Sequence, residues 1–401
     1  MKSRFAALIG TCLGLWASHA YAAELPSACA HLSKTMDAQP AGPVFVPSYS
    51  TVRSGPLLGA AFLYDNAVAA IALVACGESK KASRIGEAIL IALDHDRYWH
   101  DGRLRNGYLA GAVGPEPVKL AGWWDDKQNM WVEDRYQVGS DSGNMAWAIL
   151  ALLALDQASG DHRYQGGAVR IAGWIMQSRS RIGPGGFAGG AFAHEPSPVI
   201  EKWKSTEHNT DLAAAFSGLA RATGDKKWMV PARAAQKFVH AMWSAQCQCF
   251  AAGTTEDGKT RNPYLALDAQ IWPLLALSGA SADYDAALTT AQSRLRDGDG
   301  FAYSEAKEGM WTEGTAQVAL YLNLSGRKAE AERFMAAIAG MRAADGSYYA
   351  ANTRELPTGF MLETDPTQPR QYFHIAHLAA VSWAAIAGQG YNPFTRTKAL
   401  P

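Results

Sequence analysis

Six times along this chain a short polar stretch runs into a helix-forming run of small apolar residues. Tyr64-Asp65-Asn66 precedes Ala67–Ala75, and Gly139-Ser140-Asp141-Ser142-Gly143-Asn144 precedes Met145–Leu155. Ser205-Thr206-Glu207-His208-Asn209-Thr210-Asp211 precedes Leu212–Ala220, and Ala266-Leu267-Asp268-Ala269-Gln270 precedes Ile271–Leu277. Trp311-Thr312-Glu313-Gly314-Thr315 precedes Ala316–Leu322, and His374 and His377 lie in a sixth such segment before Ala379–Ala387. Between them come returning helices, at Ala82–Leu93, Tyr164–Gln177, Pro231–Ala245, Tyr284–Leu295 and Lys328–Met341. No such hairpin buries its small-residue face alone, so a repeat of roughly 50 residues predicts stacking into one continuous core. Stacked in a ring, the Ala- and Gly-rich first helices face inward and the second helices outward. Five hairpins and a lone last helix leave one outer helix to be found. Either the N-terminal lead-in or the long 94–134 connection can supply it.

The polar heads carry the chemistry. Ser205 or Thr206 can cap its helix, and Glu207 suits a first turn with unpaired N–H groups. Glu207 and Asp211, four apart, share one face. Asp65, Asp141, Glu207, Asp268 and Glu313 occupy equivalent places, so ring closure brings five carboxylates to one end. Capping is the plain reading of each, and Asp141 between two serines suits it best. Convergence favours more. One carboxylic acid can protonate a leaving oxygen while a carboxylate facing it activates water or attacks a sugar. Glu207 is the expected acid and Asp65 the leading opposed carboxylate, with Asp141 and Glu313 next. Tyr64, His208, Asn209, Asp211, Asp268 and His374 are candidates for holding substrate.

The 94–134 connection is too long for a plain turn and is rich in aromatic residues. Trp123, Trp124 and Trp131 within it, with Tyr264 and Trp311 beside other heads, suit stacking on pyranose rings. The loop Gly183-Pro184-Gly185-Gly186 lacks the Gly-Lys-Ser/Thr ending of a phosphate loop, so no nucleotide cofactor is expected.

Residues 1–22 read as a secretory leader: Lys2 and Arg4, an apolar stretch Phe5–Trp16, then Ala20-Tyr21-Ala22 before Ala23. That predicts a periplasmic or secreted protein. Residues 23–55 form a lead-in segment and 56–401 the repeat domain. Without Lys2 and Arg4, the 37 basic residues fall to 35 against 37 acidic ones, which argues against a nucleic-acid partner. Of the four cysteines left, Cys76 reads as a buried small residue, and one of Cys247 and Cys249 as bridging elsewhere. No Cys/His spacing suits zinc, and neither metal nor other cofactor is expected.

This alternation resembles the six-hairpin (α/α)6 toroids of bacterial glycoside hydrolases, polysaccharide lyases and sugar epimerases. The resemblance covers about residues 55–395 and is carried by Tyr64-Asp65-Asn66-Ala67, Ser205-Thr206-Glu207-His208-Asn209, Trp311-Thr312-Glu313-Gly314 and repeated Gly-Phe/Tyr segments such as Gly186-Phe187 and Gly300-Phe301. It implies an all-α fold whose inner-helix starts line a carbohydrate cleft. The expected activity is hydrolysis of a polysaccharide or oligosaccharide, with envelope polysaccharide machinery as a further partner. A lyase would instead use His208, Tyr264 or His374 as base, with Arg354 or Arg370 neutralising a uronate. An epimerase would pair His208 with His374. A third alternative is a toroid that binds glycan without cleaving it.

Overall fold

The structure, a computed structural model, describes residues 27–277, 282–362, 365 and 367–398. The leader assigned to residues 1–22 and part of the turn in the fourth hairpin, 278–281, lie outside them. Helix α1 covers 27–37. There follow α2 (Leu63–Ala75), α3 (Ser79–Asp94), a single turn α4 (Arg135–Val138), α5 (Ser142–Ser159), α6 (Arg163–Ile175), α7 (Thr206–Thr223) and α8 (Met229–Met242). The last are α9 (Leu267–Ala276), α10 (Ala286–Arg294), α11 (Thr312–Leu324), α12 (Lys328–Ala339) and α13 (Leu378–Gly388).

The inner ring closes. α2 packs on α5, α5 on α7, α7 on α9, α9 on α11, α11 on α13, and α13 on α2 again. α3, α6, α8, α10 and α12 lie against α2, α5, α7, α9 and α11. The fold is therefore an (α/α)6 toroid. Its inner helices are buried on all sides, as α13 shows from Leu378 to Gly388. The outer helices bury one stripe: α3 buries Ala82, Ile85, Ala88, Ile89 and Ala92 and leaves its other face to solvent.

The sixth outer helix comes from the lead-in, not the 94–134 connection. Cys29 of α1 is bridged to Cys76 at the end of α2, and Gln389 after α13 donates to Cys29 Sγ at 3.6 Å. Lys81 at the head of α3 donates to Asp37 at 2.6 Å. Cys76 is thus a half-cystine and not the isolated buried residue expected. Cys247 and Cys249 are joined to each other rather than elsewhere, across the turn of a two-stranded ribbon.

Short turns join inner helices to the outer helices that follow them at one end of the ring, as at 76–78, 160–162 and 325–327. The long connections all lie at the other end, where they form small ribbons of two or three strands. A repeated side-chain contact ties these connections down. The fourth residue of an inner helix reaches back to a buried backbone segment. Asn66 Oδ1 accepts from Val46 N at 2.8 Å, Asn209 Oδ1 from Phe187 N at 2.8 Å, and Gln270 Oε1 from Phe250 N at 2.8 Å. Thr315 Oγ1 accepts from Phe301 N at 3.1 Å. This contact accounts for the recurring Gly-Phe segments: the phenyl ring enters the core while its amide meets the inner helix.

The bore of the ring is filled. Trp147 of α5 packs edge-on against Trp272 of α9 and Trp383 of α13, with centroids 5.3 and 5.7 Å apart, and Tyr64 and Phe394 complete the plug. A plugged bore gives the polar end a floor.

Candidate active site at the polar end of the ring

The packing order sets α2 opposite α9, α5 opposite α11 and α7 opposite α13. Two acidic clusters therefore face each other across the ring. Asp65 on α2, Glu313 on α11 and His377 at the start of α13 form the first. His377 Nε2 lies 3.2 Å from Asp65 Oδ2, and its Nδ1 lies 3.2 Å from Glu313 Oε1. Tyr64 donates to Glu313 Oε2 at 3.2 Å, and Trp383 Nε1 donates to the Tyr64 hydroxyl at 2.8 Å. Asp65, Glu313 and His377 are at most 5% exposed. Burial alone draws the imidazole down, but Asp65 first and then Glu313 outweigh it and lift His377 to about 10. It is an imidazolium at neutral pH, hydrogen-bonded to Asp65 and ion-paired with Glu313. Tyr49 stacks on it at 4.6 Å.

The second cluster is Glu207 on α7 with Asp268 on α9. The two carboxyl groups are hydrogen-bonded to each other, and Tyr303 is bonded to Glu207. Burial, then the Glu207 charge, pushes Asp268 well above the carboxylate range. Burial also raises Glu207, against the pull of Asp268 and Arg370. Asp211, one turn along α7, is buried and pushed well up by burial and by Glu207. The pair thus holds a proton between its members, since two buried carboxylates in contact do not both ionise near neutral pH.

Asp141 stands at the N-cap position of α5, yet its carboxylate makes no cap. It accepts from Asn106 Nδ2 at 3.0 Å, and burial lifts it to about 6. His208 is pulled down to about 4, by burial first and Arg370 second, so it is neutral. Its Nδ1 lies 3.3 Å from Ser142 Oγ. Gly143 makes room for that ring, because a Cβ there would meet His208 Cδ2 at 2.3 Å.

A hairpin of Glu355–Met361 and Pro369–Phe373 carries Arg370 and Tyr372 to this end of the ring. Arg370 acts electrostatically on Glu207, Asp141, His208 and Tyr303, which places its charge near these groups. Tyr372 and Tyr303 pack with Trp311. Burial raises Tyr49, Tyr64, Tyr303 and Tyr372 well above their ordinary values, so all four remain phenols.

Other candidates named from the sequence fall elsewhere. Asn209 is fully buried, and its amide is spent on Phe187 and Ser205 backbone, which leaves none of it for a sugar. Tyr264 donates to Thr358 O at 2.7 Å and packs on Phe360, so it props the hairpin. Trp311 is 2% exposed and belongs to the wall behind the cleft. His374 is exposed, donates from Nδ1 to Ala351 O at 2.7 Å and stacks on Tyr349. The ring end holds His377 instead, so His208 and His374 do not form a pair. Trp123, Trp124 and Trp131 sit on a ribbon of Trp123–Asp125 and Met130–Val132, beyond the two acidic clusters. Among the described residues no group of three or more His, Cys, Asp or Glu side chains is arranged to hold a metal ion.

His377, Tyr49, Tyr303 and Tyr372 went unselected in the sequence. One signal existed for His377. The other heads place their acid from one residue before the helix to its third residue, and His377, not His374, keeps that register with α13.

No family model and no curated protein matches this chain. Solved structures do. A wild-type glycosidase superposes with a TM-score of 0.63 at 14% identity, over 93% of this chain and 98% of that one. A cellobiose 2-epimerase from Bacillus thermoamylovorans gives 0.62 at 10% identity, over 93% and 99%. An alpha-amylase from Clostridium perfringens gives 0.63 at 11% identity, over 92% and 98%. Likeness at such low identity shows the toroid fold alone.

Proposed function

We propose that this protein is a glycoside hydrolase that cleaves a polysaccharide or oligosaccharide by paired-carboxylate acid/base catalysis. One observation carries the reading: two acidic clusters stand on opposite sides of the ring, Glu207 in contact with Asp268 on one and Asp65 and Glu313 ion-paired with His377 on the other. Glu207, sharing a proton with Asp268, supplies the acid for the leaving oxygen. Asp65, held by the His377 imidazolium, is the carboxylate that activates water from the opposite side. Inversion is the expected outcome, because a wide ring separates its carboxylates easily. The glycosidase and alpha-amylase among the similar structures support a sugar substrate.

The alternatives find less support. A lyase or an epimerase needs a base that takes a proton from carbon. The four tyrosines are held as phenols, His377 is already protonated, and His208 is a weak base. The leader at residues 1–22, together with the Cys29–Cys76 and Cys247–Cys249 bridges, supports export to an oxidising compartment.

The test is a screen of purified protein against plant and bacterial polysaccharides, repeated with Glu207→Gln and Asp65→Asn. New reducing ends, abolished by either substitution, are expected. An unsaturated uronate product would transfer the protein to the lyases. Full activity in Glu207→Gln would remove the acid assignment.

A further inference from the structure

The two-stranded ribbon inside the 94–134 connection presents an aromatic surface that the acid/base site does not use. Trp124 and Trp131 are direct cross-strand partners and so share one face of the ribbon. They are 54% and 53% exposed, a rare state for side chains so large and apolar. Trp131 is nonetheless held in place. Its indole lies against the backbone at Gly122, where a Cβ would come within 2.6 Å of Nε1. The indole is covered around Nε1, Cε2 and Cζ2, and half of the side chain is exposed.

Beside it lies a cavity of about 440 Å³ lined by Gln128, Met130, Trp131, Val132, Glu133 and His194. Its walls are fixed by ion pairs. Arg97 donates to both oxygens of Glu133 at 2.7 Å and to Glu195 at 2.6 Å, and buried Arg105 joins Glu195 to Asp96. The one carboxylate in the lining, Glu133, is ion-paired with Arg97, so the groove offers aromatic faces and polar edges with its carboxylate held away in a pair.

Both walls run into the candidate active site. From Trp131 the chain reaches Tyr136 in five residues, and Tyr136 stands beneath Arg370 with 5.9 Å from guanidinium carbon to ring centroid. Fully extended, that stretch spans at most about 17 Å. On the other wall, His194 follows the strand Gly190–Phe192, whose Gly190 pairs with Asp141.

We infer that this groove is a distal sugar-binding subsite, which takes the continuing chain of a neutral glycan whose end lies between Glu207 and Asp65. The inference rests on the hydrolase reading and names the substrate class more closely. With the bore plugged, a glycan approaches the acidic clusters from the polar end of the ring, and the Trp124–Trp131 groove is an aromatic surface beside that end. The occupant is therefore a polymer longer than a disaccharide.

Affinity electrophoresis tests this without requiring cleavage. Native gels containing hydroxyethylcellulose, konjac glucomannan, arabinoxylan, soluble starch or alginate are run with the Glu207→Gln protein. The same protein also carrying Trp131→Ala, Trp131→Phe, Trp124→Ala or His194→Ala is run beside it, with circular dichroism to verify folding. Retardation by at least one neutral polymer is expected. The loss on Trp131→Ala or Trp124→Ala should be on the order of tenfold in affinity, with partial rescue by Trp131→Phe. Undiminished retardation of both alanine variants would overturn the subsite, as would retardation by alginate alone or by no polymer. If the glycan is retained through these tryptophans but the wild type releases no reducing ends, the hydrolase reading fails and the groove stands. Cleavage of a polymer whose retention ignores the tryptophans has the opposite meaning.

Discussion

Single residues differ here in where their protons sit. Glu207→Gln preserves size and most hydrogen bonding but removes the titrating group, so kcat/KM is expected to fall about 100-fold or more with the melting temperature preserved. A first-turn acid with no catalytic role would cost only about 0.3–1 kcal/mol of stability when its charge is removed, and would leave turnover near normal. His377 gives a second prediction, with a definite sign. Its folded value is raised from 6.5 to about 10, so its contribution to stability is complete below pH 6.5 and is lost as pH rises toward 10. Thermal melts from pH 6 to 10 should decline, and His377→Gln should flatten that decline. The substitution also strands Asp65 and Glu313 in the interior, at a cost of about 3–5 kcal/mol. A melting temperature indifferent to pH in the wild type would contradict the assignment of an imidazolium. The acids were legible in the sequence because each interrupts an apolar run at a helix start. The proton states were not, since they depend on which neighbours the ring brings together. Asp268 meets Glu207 only because α7 and α9 are adjacent.

At the scale of elements the sequence revealed the helices better than what tethers them. The inner helices announce themselves through runs such as Ala67–Ala75, and the outer ones through a single apolar stripe. The hairpin of Glu355–Met361 and Pro369–Phe373 was not foreseen. Its interior Pro357 and Gly359 are poor strand formers, and its register depends on Tyr264 beneath it. Asn209 adjoins Glu207, which suits a sugar ligand, yet position four of the helix turns its amide toward Phe187. Asn209→Ala is therefore expected to cost about 1–3 kcal/mol in urea unfolding, because the buried Phe187 amide loses its acceptor. KM should hardly change, whereas a substrate ligand would show the reverse. Arg370 on the hairpin lowers the His208 value alongside burial. Arg370→Gln should move the His208 titration upward from about 4, readable from imidazole nitrogen shifts, and an unmoved titration would place the hairpin away from the cleft.

At the scale of the whole molecule the question is how a ring with an odd helix closes. Sequence repetition supplied five outer helices and left the sixth between two candidates, because α1 has no inner partner beside it in the chain. It stands before α2 in sequence but lies outside α13 at the other terminus. Closure therefore brings α1 to the end of α13, and the Cys29–Cys76 bridge ties α1 to the end of α2 beside that seam. The bridge encloses a separation of 47 residues, against 2 for Cys247–Cys249. Loop-closure entropy then predicts about 4 kcal/mol of stabilisation from the first bridge and roughly 1 kcal/mol from the second. The paired replacement of Cys29 and Cys76 by Ser should lower the denaturant midpoint far more than the same change at Cys247 and Cys249. Hydrogen exchange should localise the loss to α1, the start of α3 and the end of α13, since these share the seam through Lys81–Asp37 and Gln389. The carboxylate clusters stand on inner helices that contact one another without α1, so the Cys29/Cys76 variant should keep its activity at temperatures below its melting point. Equal destabilisation by the two replacements would mean that α1 is held by packing alone and that the bridge adds nothing to closure.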